Sequence, residues 1–193
     1  SAATISCNGG TTTVTVTASG GTAPYLGTGT FTVSAGAYSY TVTDENGCSS
    51  TTTGTVSEPA VMLASSSAAT ISCNGGTTTV TVTAEGGTAP YTGTGTYTVS
   101  AGTYSYTVTD ANGCSSTTTG TVTEPAVMLA SSSAATISCN GGTTTVTVTA
   151  SGGTAPYLGT GTFTVSAGAY SYTVTDENGC SSTTTGTVSE PAV

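Results

Sequence analysis

The sequence predicts an all-β protein made of tandem modules. Three observations lead to this: a 66-residue internal repeat, apolar residues at every second position, and turn sequences at regular spacing. Residues 1–61 recur unchanged as residues 133–193, and the middle copy differs only by a few substitutions. The repeat therefore predicts three modules, with boundaries at residues 1–59, 60–125 and 126–191.

The first strand of each repeat alternates between apolar and polar residues. Within Thr11–Ala18, Val14 and Val16 lie on one face and the intervening threonines on the other. The later strands alternate in the same way, with Phe31 and Val33, then Tyr38, Tyr40 and Val42, then Cys48 and Val56. This period of two is typical of half-buried antiparallel strands.

A further strand is predicted where one repeat passes into the next. Pro59 ends the preceding strand because proline cannot donate to a strand ladder. The residues expected to share the buried face of the linking strand are Val61, Leu63, Ala69, Ile71 and Cys73.

Turn sequences separate these strands. Asn8-Gly9-Gly10 and Asn46-Gly47 supply the positive φ that tight hairpins need, and no window has a helical period. Six or seven short strands per copy, with turns every 8–12 residues, predict Greek-key β-sandwich modules of the immunoglobulin-like type. A β-solenoid is the alternative, but its repeats are usually shorter than this one.

The composition excludes several classes of partner. The chain has nine acidic residues and no Lys, Arg or His, so its formal charge is −9. Without cations it cannot neutralise phosphates, so nucleic acid is not an expected partner. The longest apolar stretch, Ala60–Ala64, is far shorter than the roughly 20 residues that span a bilayer, so we expect no direct membrane insertion.

The six cysteines point to an oxidising compartment, and hence to an extracellular protein. A module with a thin Val/Ala core needs a covalent staple, and a disulfide that closes a long loop stabilises by roughly 3–4 kcal/mol. Two schemes stay open. Pairing within a repeat joins Cys7–Cys48, Cys73–Cys114 and Cys139–Cys180. Pairing between neighbouring repeats joins Cys7–Cys114 and Cys73–Cys180, and leaves Cys48 and Cys139 for further modules.

The repeat resembles the SprB-type repeat of giant cell-surface adhesins in gliding Bacteroidota. The matching elements are Cys7-Asn8-Gly9-Gly10, Gly20–Tyr25, Ala35–Tyr38, Thr41–Cys48 and Glu58-Pro59, and they recur in all three copies. The resemblance implies type IX secretion, long surface filaments, and roles in adhesion and gliding motility. Many family members have a longer, Trp-containing strand after the Pro-Tyr corner, which is short and lacks Trp here.

The remaining candidate residues favour structural roles. No His, Lys or activated Ser is available for catalysis, so we expect no enzymatic activity, no cofactor and no metal. Asp44 and its copies are expected to cap their own turns instead of binding calcium. Glu58 is expected to make a solvated contact between modules. Tyr25, Tyr91 and Tyr157, each following a proline, are candidate glycan contacts, although packing at the end of the sandwich is favoured.

Together these features predict a structural stalk of an extracellular, cell-surface filament or adhesin, stiffened by disulfides. Its partners are expected to be neighbouring modules or copies of the same fibre, and surface polysaccharide. The alternative is an array of glycan-binding adhesive modules. An ice-binding surface of Thr13, Thr15 and Thr17 is a weaker alternative, because sandwich strands twist and each rank of threonines is isolated.

Overall fold

The computed structural model describes residues 2–192, and over that range the chain is all-β with no helix. The first repeat has β1 (Thr12–Val16), β2 (Gly29–Val33), β3 (Gly36–Thr43) and β4 (Ser49–Val56). The second has β5 (Leu63–Ala68), β6 (Thr77–Glu85), β7 (Gly95–Ser100), β8 (Gly102–Thr109) and β9 (Ser115–Val122). The third has β10 (Leu129–Ala134), β11 (Thr143–Ser151), β12 (Gly161–Ser166), β13 (Gly168–Thr175) and β14 (Ser181–Val188).

The strands form small open sheets. The orders are β1-β2 and β3-β4, then β5-β6-β7 and β8-β9, then β10-β11-β12 and β13-β14. The β1–β2, β3–β4, β10–β11, β11–β12 and β13–β14 pairs are antiparallel. The all-β prediction is therefore confirmed.

The alternation read from the first strand is also confirmed. In β1, Thr12, Val14 and Val16 are buried, and the residues between them are exposed. The longer strands β6 and β11 continue the same pattern. The threonines on the outer face suit strands because their branched side chains fit a pleated surface.

The predicted orientation of the linking strand is wrong over its first half, although Ile71 is buried as predicted. Val61 and Leu63 are 63% and 59% exposed, whereas Met62 between them is 9% exposed. In the third repeat the equivalent Met128 belongs to the core. The long, flexible Met side chain reaches the core from this position, so the inward face of the strand carries Met, Ala and Ser.

The chain forms two compact units, each of which combines segments from more than one repeat. The first unit comprises Ser1–Ser67, Thr81–Thr96 and Ser105–Thr119, and the second comprises Ala68–Val80, Tyr97–Tyr104 and Gly120–Val193. The division into three modules remains a prediction from the repeat.

Each unit has a core to which two sheets contribute. In the first unit, Val14 and Val16 of β1 pack with Val56 of β4, and Phe31 stacks on Tyr40 with ring centroids 4.3 Å apart. In the second unit the cluster consists of Met128, Ile137, Val146, Val148, Val174 and Val188. These cores are small and consist largely of valine, so each buried side chain contributes a large part of the apolar contacts that stabilise its unit.

We expect Val148→Ala to lower the free energy of unfolding by about 2 kcal/mol, because it removes two methyl groups from a site that is 1% exposed. Urea unfolding followed by circular dichroism measures the change. The matched control is Thr147→Val on the exposed face of the same strand, with an expected change within about 0.5 kcal/mol. Equal losses for the two variants would contradict the assignment of the core face.

A disulfide clamp between repeats

Four of the six cysteines form two disulfides, Cys7–Cys114 and Cys73–Cys180, each with Cα atoms 5.6 Å apart and a sequence separation of 107. Each bond joins the first turn of one repeat to the last hairpin of the next. The structure thus has the second of the two pairing schemes left open by the sequence. Cys48 and Cys139 are free and exposed.

The first clamp consists of Ser6, Cys7, Asn8 and Gly9 with Glu58, Pro59, Asn112 and Cys114; the second is its copy 66 residues later. On the hairpin side of the first clamp, Asn112 Nδ2 donates to the carbonyl oxygen of Ser6 at 3.1 Å. The disulfide sulfur of Cys114 lies 3.3 Å from that same oxygen. In the second clamp Asn178 and Cys180 contact Ser72 at the same atoms.

The other side of the clamp holds the first turn to its own repeat. Gly9 N donates to Glu58 Oε2 at 2.6 Å, and Asn8 Nδ2 donates to the carbonyl oxygen of Pro59 at 3.0 Å. Both bonds recur in the other two repeats. The expectation that Glu58 makes a solvated contact between modules is therefore wrong, because its carboxylate accepts a charge-assisted bond inside its own repeat.

An aspartate orders the hairpin that carries the second cysteine. Asp110 Oδ1 accepts the backbone N–H groups of Asn112 and Cys114 at 2.9 Å each, and Oδ2 accepts that of Thr88 at 2.9 Å. Asp44 and Asp176 do the same in the other repeats. The expectation that these aspartates cap their own turns is confirmed.

These hydrogen bonds lower the pKa of each aspartate. Burial acts to raise the pKa of Asp110, but the N–H donors of Thr88, Cys114, Asn112 and Gly113 together outweigh it, so the pKa falls below 3.8. The same balance lowers the pKa of Asp176. At Asp44 the N–H of Thr22 is the largest cause of the lowered pKa.

The three tyrosines proposed as glycan contacts occupy corners that follow cis prolines. The hydroxyl of Tyr25 donates to the carbonyl oxygen of Gly20 at 2.7 Å, and Tyr91 and Tyr157 make the same bond to Gly86 and Gly152. All three rings are half-buried, and Tyr157 packs against the core of its unit. This geometry favours the packing role; glycan binding at these residues stays a prediction.

Comparisons with known proteins supply no assignment: no protein-family model matches the chain, and no curated protein matches it either. Over residues 2–192, no group of three or more His, Cys, Asp and Glu residues is placed to hold a metal ion. The described part of the chain also contains no helix able to cross a membrane. The two disulfides fit an oxidising environment, either extracellular or periplasmic.

Sequence reasoning missed the polar half of the clamp. The sequence assigned Asn8 only to a turn and gave Asn112 and Ser6 no role, because Asn-Gly is an ordinary turn sequence and Ser6 acts only through its backbone carbonyl. Repetition of a residue in all three copies does not mark it as functional here, since almost every residue of the repeat is repeated. The arrangement consists of covalent and hydrogen bonds between chain segments, so its chemical capacity is to hold neighbouring repeats together.

We expect Asp110→Asn to lower thermal stability at neutral pH, because an amide nitrogen cannot accept the N–H bonds that the second carboxylate oxygen accepts. The lowered pKa of Asp110 means that the wild-type advantage is present above 3.8 and is lost as the pH falls through the folded-state pKa. Melting midpoints of both proteins across this pH range should therefore converge in acid.

The matched control for this prediction is Glu85→Gln, which removes the same charge from an exposed site in the same repeat. Its melting midpoint should follow the wild type across the pH range. A constant difference between Asp110→Asn and the wild type at every pH would contradict the role given to the carboxylate.

Removing the first clamp's disulfide with Cys7→Ser/Cys114→Ser should lower the free energy of unfolding by about 4 kcal/mol, because the bond closes a loop of about 100 residues. Urea unfolding without reductant measures this loss. Cys48→Ser is the control, since that thiol is free, and it should leave the midpoint unchanged. Similar losses in the two variants would contradict a stabilising role for the clamp.

Proposed function

We propose that this chain is a stalk segment of an extracellular surface filament or adhesin, in which disulfide clamps carry tension from repeat to repeat. The observation that carries the proposal is the pairing itself: each disulfide ties the first turn of one repeat to the last hairpin of the next. A bond of this kind adds nothing to a binding surface, but it limits how far neighbouring repeats can be pulled apart.

The pairing shortens the covalent route along the chain. From Cys7 to Cys180 the backbone takes 173 steps, the difference of the two residue numbers. Through the disulfides the route passes from Cys7 to Cys114, back along the 41 steps to Cys73, and across to Cys180. Even a fully unfolded chain would therefore reach only a fraction of its backbone length between these points.

The repeats are proposed to be immunoglobulin-like Greek-key sandwiches. Supporting this are the two antiparallel sheets per repeat and the cores to which both sheets contribute. The tyrosine hydroxyl that returns to a backbone carbonyl five residues earlier resembles the tyrosine corner of such sandwiches.

The SprB-type resemblance extends the proposal to the cell surface, to type IX secretion and to gliding motility. The chain's acidity supports a surface role, because nine carboxylates without a cation keep a threonine-rich fibre soluble and self-repelling. Neighbouring modules of the same fibre are the proposed partners, and surface polysaccharide is the proposed target of the wider assembly.

Pulling single molecules through handles fused to the two ends tests the proposal. With both disulfides intact, the part of the chain between Cys7 and Cys180 should extend to roughly 140 Å at about 3.4 Å per residue. After reduction the limit should rise to roughly 590 Å. Cys48→Ser/Cys139→Ser serves as the background, so that free thiols cannot exchange with the clamps.

A single-clamp variant gives the intermediate value. Cys7→Ser/Cys114→Ser leaves Cys73–Cys180, and the route from position 7 then follows 66 backbone steps before crossing, for a limit of roughly 225 Å. The same extension before and after reduction would rule out clamps as the elements that carry tension.

A further inference from the structure

The chain contains six Asn-Gly pairs, two in every repeat. Asparagine is chemically labile, and a following glycine has no side chain to hinder the reaction. The hydrogen bonds made by each pair therefore decide how fast it reacts. The pairs of the first turns begin at Asn8, Asn74 and Asn140, and those of the last hairpins at Asn46, Asn112 and Asn178.

The reaction in question is deamidation, which is spontaneous in water. The backbone nitrogen of the glycine loses its proton to solvent and attacks Cγ of the asparagine; the bond from Cγ to Nδ2 then breaks, and ammonia leaves. Water opens the resulting succinimide ring at either carbonyl group and gives aspartate or isoaspartate. The ring closes only if the side-chain amide turns toward the glycine nitrogen, so hydrogen bonds that hold the amide elsewhere slow the reaction.

The hairpin asparagine of the second repeat is held by both of its amide hydrogens. Asn112 Nδ2 donates to the carbonyl oxygen of Ser6 at 3.1 Å and to Thr88 Oγ1 at 2.9 Å. These two bonds use the whole donor capacity of the side chain. Gly113, which supplies the attacking nitrogen, donates its N–H to the carbonyl oxygen of Asp110 at 3.1 Å. Deamidation must therefore break hydrogen bonds on both reacting groups.

One of these hydrogen bonds depends on a disulfide. Ser6 belongs to the preceding repeat and directly precedes Cys7, which is bonded to Cys114 two residues after Asn112. The bond between Cys7 and Cys114 thus holds the Asn112 amide against its acceptor in the preceding repeat. The third repeat has the same arrangement: Asn178 Nδ2 donates to the carbonyl oxygen of Ser72 at 3.3 Å and to Thr154 Oγ1 at 3.0 Å, beside Cys73–Cys180.

The pairs in the first turns are held within their own repeats instead. Asn8 Nδ2 donates to the carbonyl oxygen of Pro59 at 3.0 Å, and Gly9 N donates to Glu58 Oε2 at 2.6 Å. A carboxylate at this distance opposes loss of the glycine proton, because it would face a second negative charge. The control exerted by the disulfides therefore concerns the hairpin pairs.

The products of deamidation do not fit the clamp. At Asn112 the Nδ2 donor would be replaced by a carboxylate oxygen, which only accepts hydrogen bonds at neutral pH and would face the carbonyl oxygen of Ser6. Isoaspartate would also add a methylene group to the backbone between Asp110 and Cys114, where Asp110 N donates to the carbonyl oxygen of Cys114 at 2.9 Å. Either product opposes the contacts that bring Cys114 to the first turn.

We propose that Asn112-Gly113 and Asn178-Gly179 are self-modification sites that the clamp disulfides control. While the disulfide is intact, its asparagine is held and stays unmodified. When a small thiol reduces the disulfide and is itself oxidised, the asparagine loses its partner in the preceding repeat and deamidates, and the clamp then fails to re-form. Both asparagines are exposed, so water reaches them. The inference does not depend on the mechanical role of the chain.

The test compares one opened clamp with one intact clamp in the same molecule. The parent protein carries Cys48→Ser/Cys139→Ser, so that no free thiol exchanges with the clamps. Adding Cys7→Ser/Cys114→Ser should speed deamidation of Asn112 by roughly three- to ten-fold at mildly alkaline pH, as expected for the loss of one hydrogen bond. The rate at Asn178 should stay the same. Equal rates at Asn112 with and without the clamp would overturn the proposal.

Mass spectrometry of chymotryptic peptides measures both rates, because the three hairpins differ in sequence in this background. Ala111 marks the peptide that contains Asn112, and Cys180 distinguishes the peptide of Asn178 from that of Asn46, which carries the serine introduced at position 48. Isoaspartate and aspartate each raise the mass by the same small amount relative to asparagine and separate in chromatography.

Two further variants separate release of the amide from a general loss of stability. Thr88→Val removes the other acceptor of the Asn112 amide and leaves the disulfide in place, so it should also accelerate deamidation at Asn112 several-fold. Val82→Ala removes core contacts in the same compact unit, where Val82 is 1% exposed, and should leave the rate unchanged. A rate raised by Val82→Ala as much as by loss of the clamp would contradict control by the clamp.

The failure of a modified clamp to re-form is tested with Asn112→Asp, which places the charge of the product in the hairpin. After complete reduction and re-oxidation, the fraction of molecules that regain Cys7–Cys114 should be several-fold lower than in the parent. Cys73–Cys180 in the same molecules is the control and should recover as in the parent. Full recovery of both disulfides would overturn this part of the proposal.

Discussion

The structure depends on where the first turn of each repeat is held. This turn is short, glycine-rich and exposed, and by itself it would be one of the most mobile parts of a small all-β repeat. In the first two repeats it is fixed from two sides; in the first, these are Glu58 and Pro59 of its own repeat and the Cys114 hairpin of the next. Because the turn is held in place relative to both repeats, the single disulfide that it carries connects the two repeats in a fixed geometry.

The hairpin that is ordered by the aspartate gives the connection between the two repeats the same geometry each time. A disulfide forms only when two Cα atoms come within a narrow range of separation, so both segments must be ordered beforehand. Asp110 holds the backbone around Cys114 through its N–H bonds, and Asn112 of the same turn contacts Ser6. The carboxylate hydrogen bonds, the tight turn and the disulfide therefore all involve the same few residues. The same arrangement is found around Cys180.

The predictable features were those set by local chemistry. Val14 and Val16 alternate with threonine, so the burial of β1 followed from period alone. The burial of Met62 could not be predicted in this way, because both faces of the linking strand carry apolar residues and only the packing of the folded chain decides which face is buried. The cysteine pairing stayed open for a related reason. It depends on whether Cys7 and Cys114 lie close together in space, and no local sequence pattern shows this for residues that are 107 positions apart. Glu58 was misassigned because its partner, Gly9, offers only a backbone N–H.

The overlap of the two disulfides also bears on proteolysis. Cys7–Cys114 and Cys73–Cys180 together enclose every peptide bond between positions 7 and 180. A protease that cuts once anywhere in that range leaves both fragments covalently attached, and within the overlap from 73 to 114 two bridges remain. The absence of Lys and Arg already denies trypsin-like enzymes a site. A chain connected in this way tolerates single nicks without losing continuity.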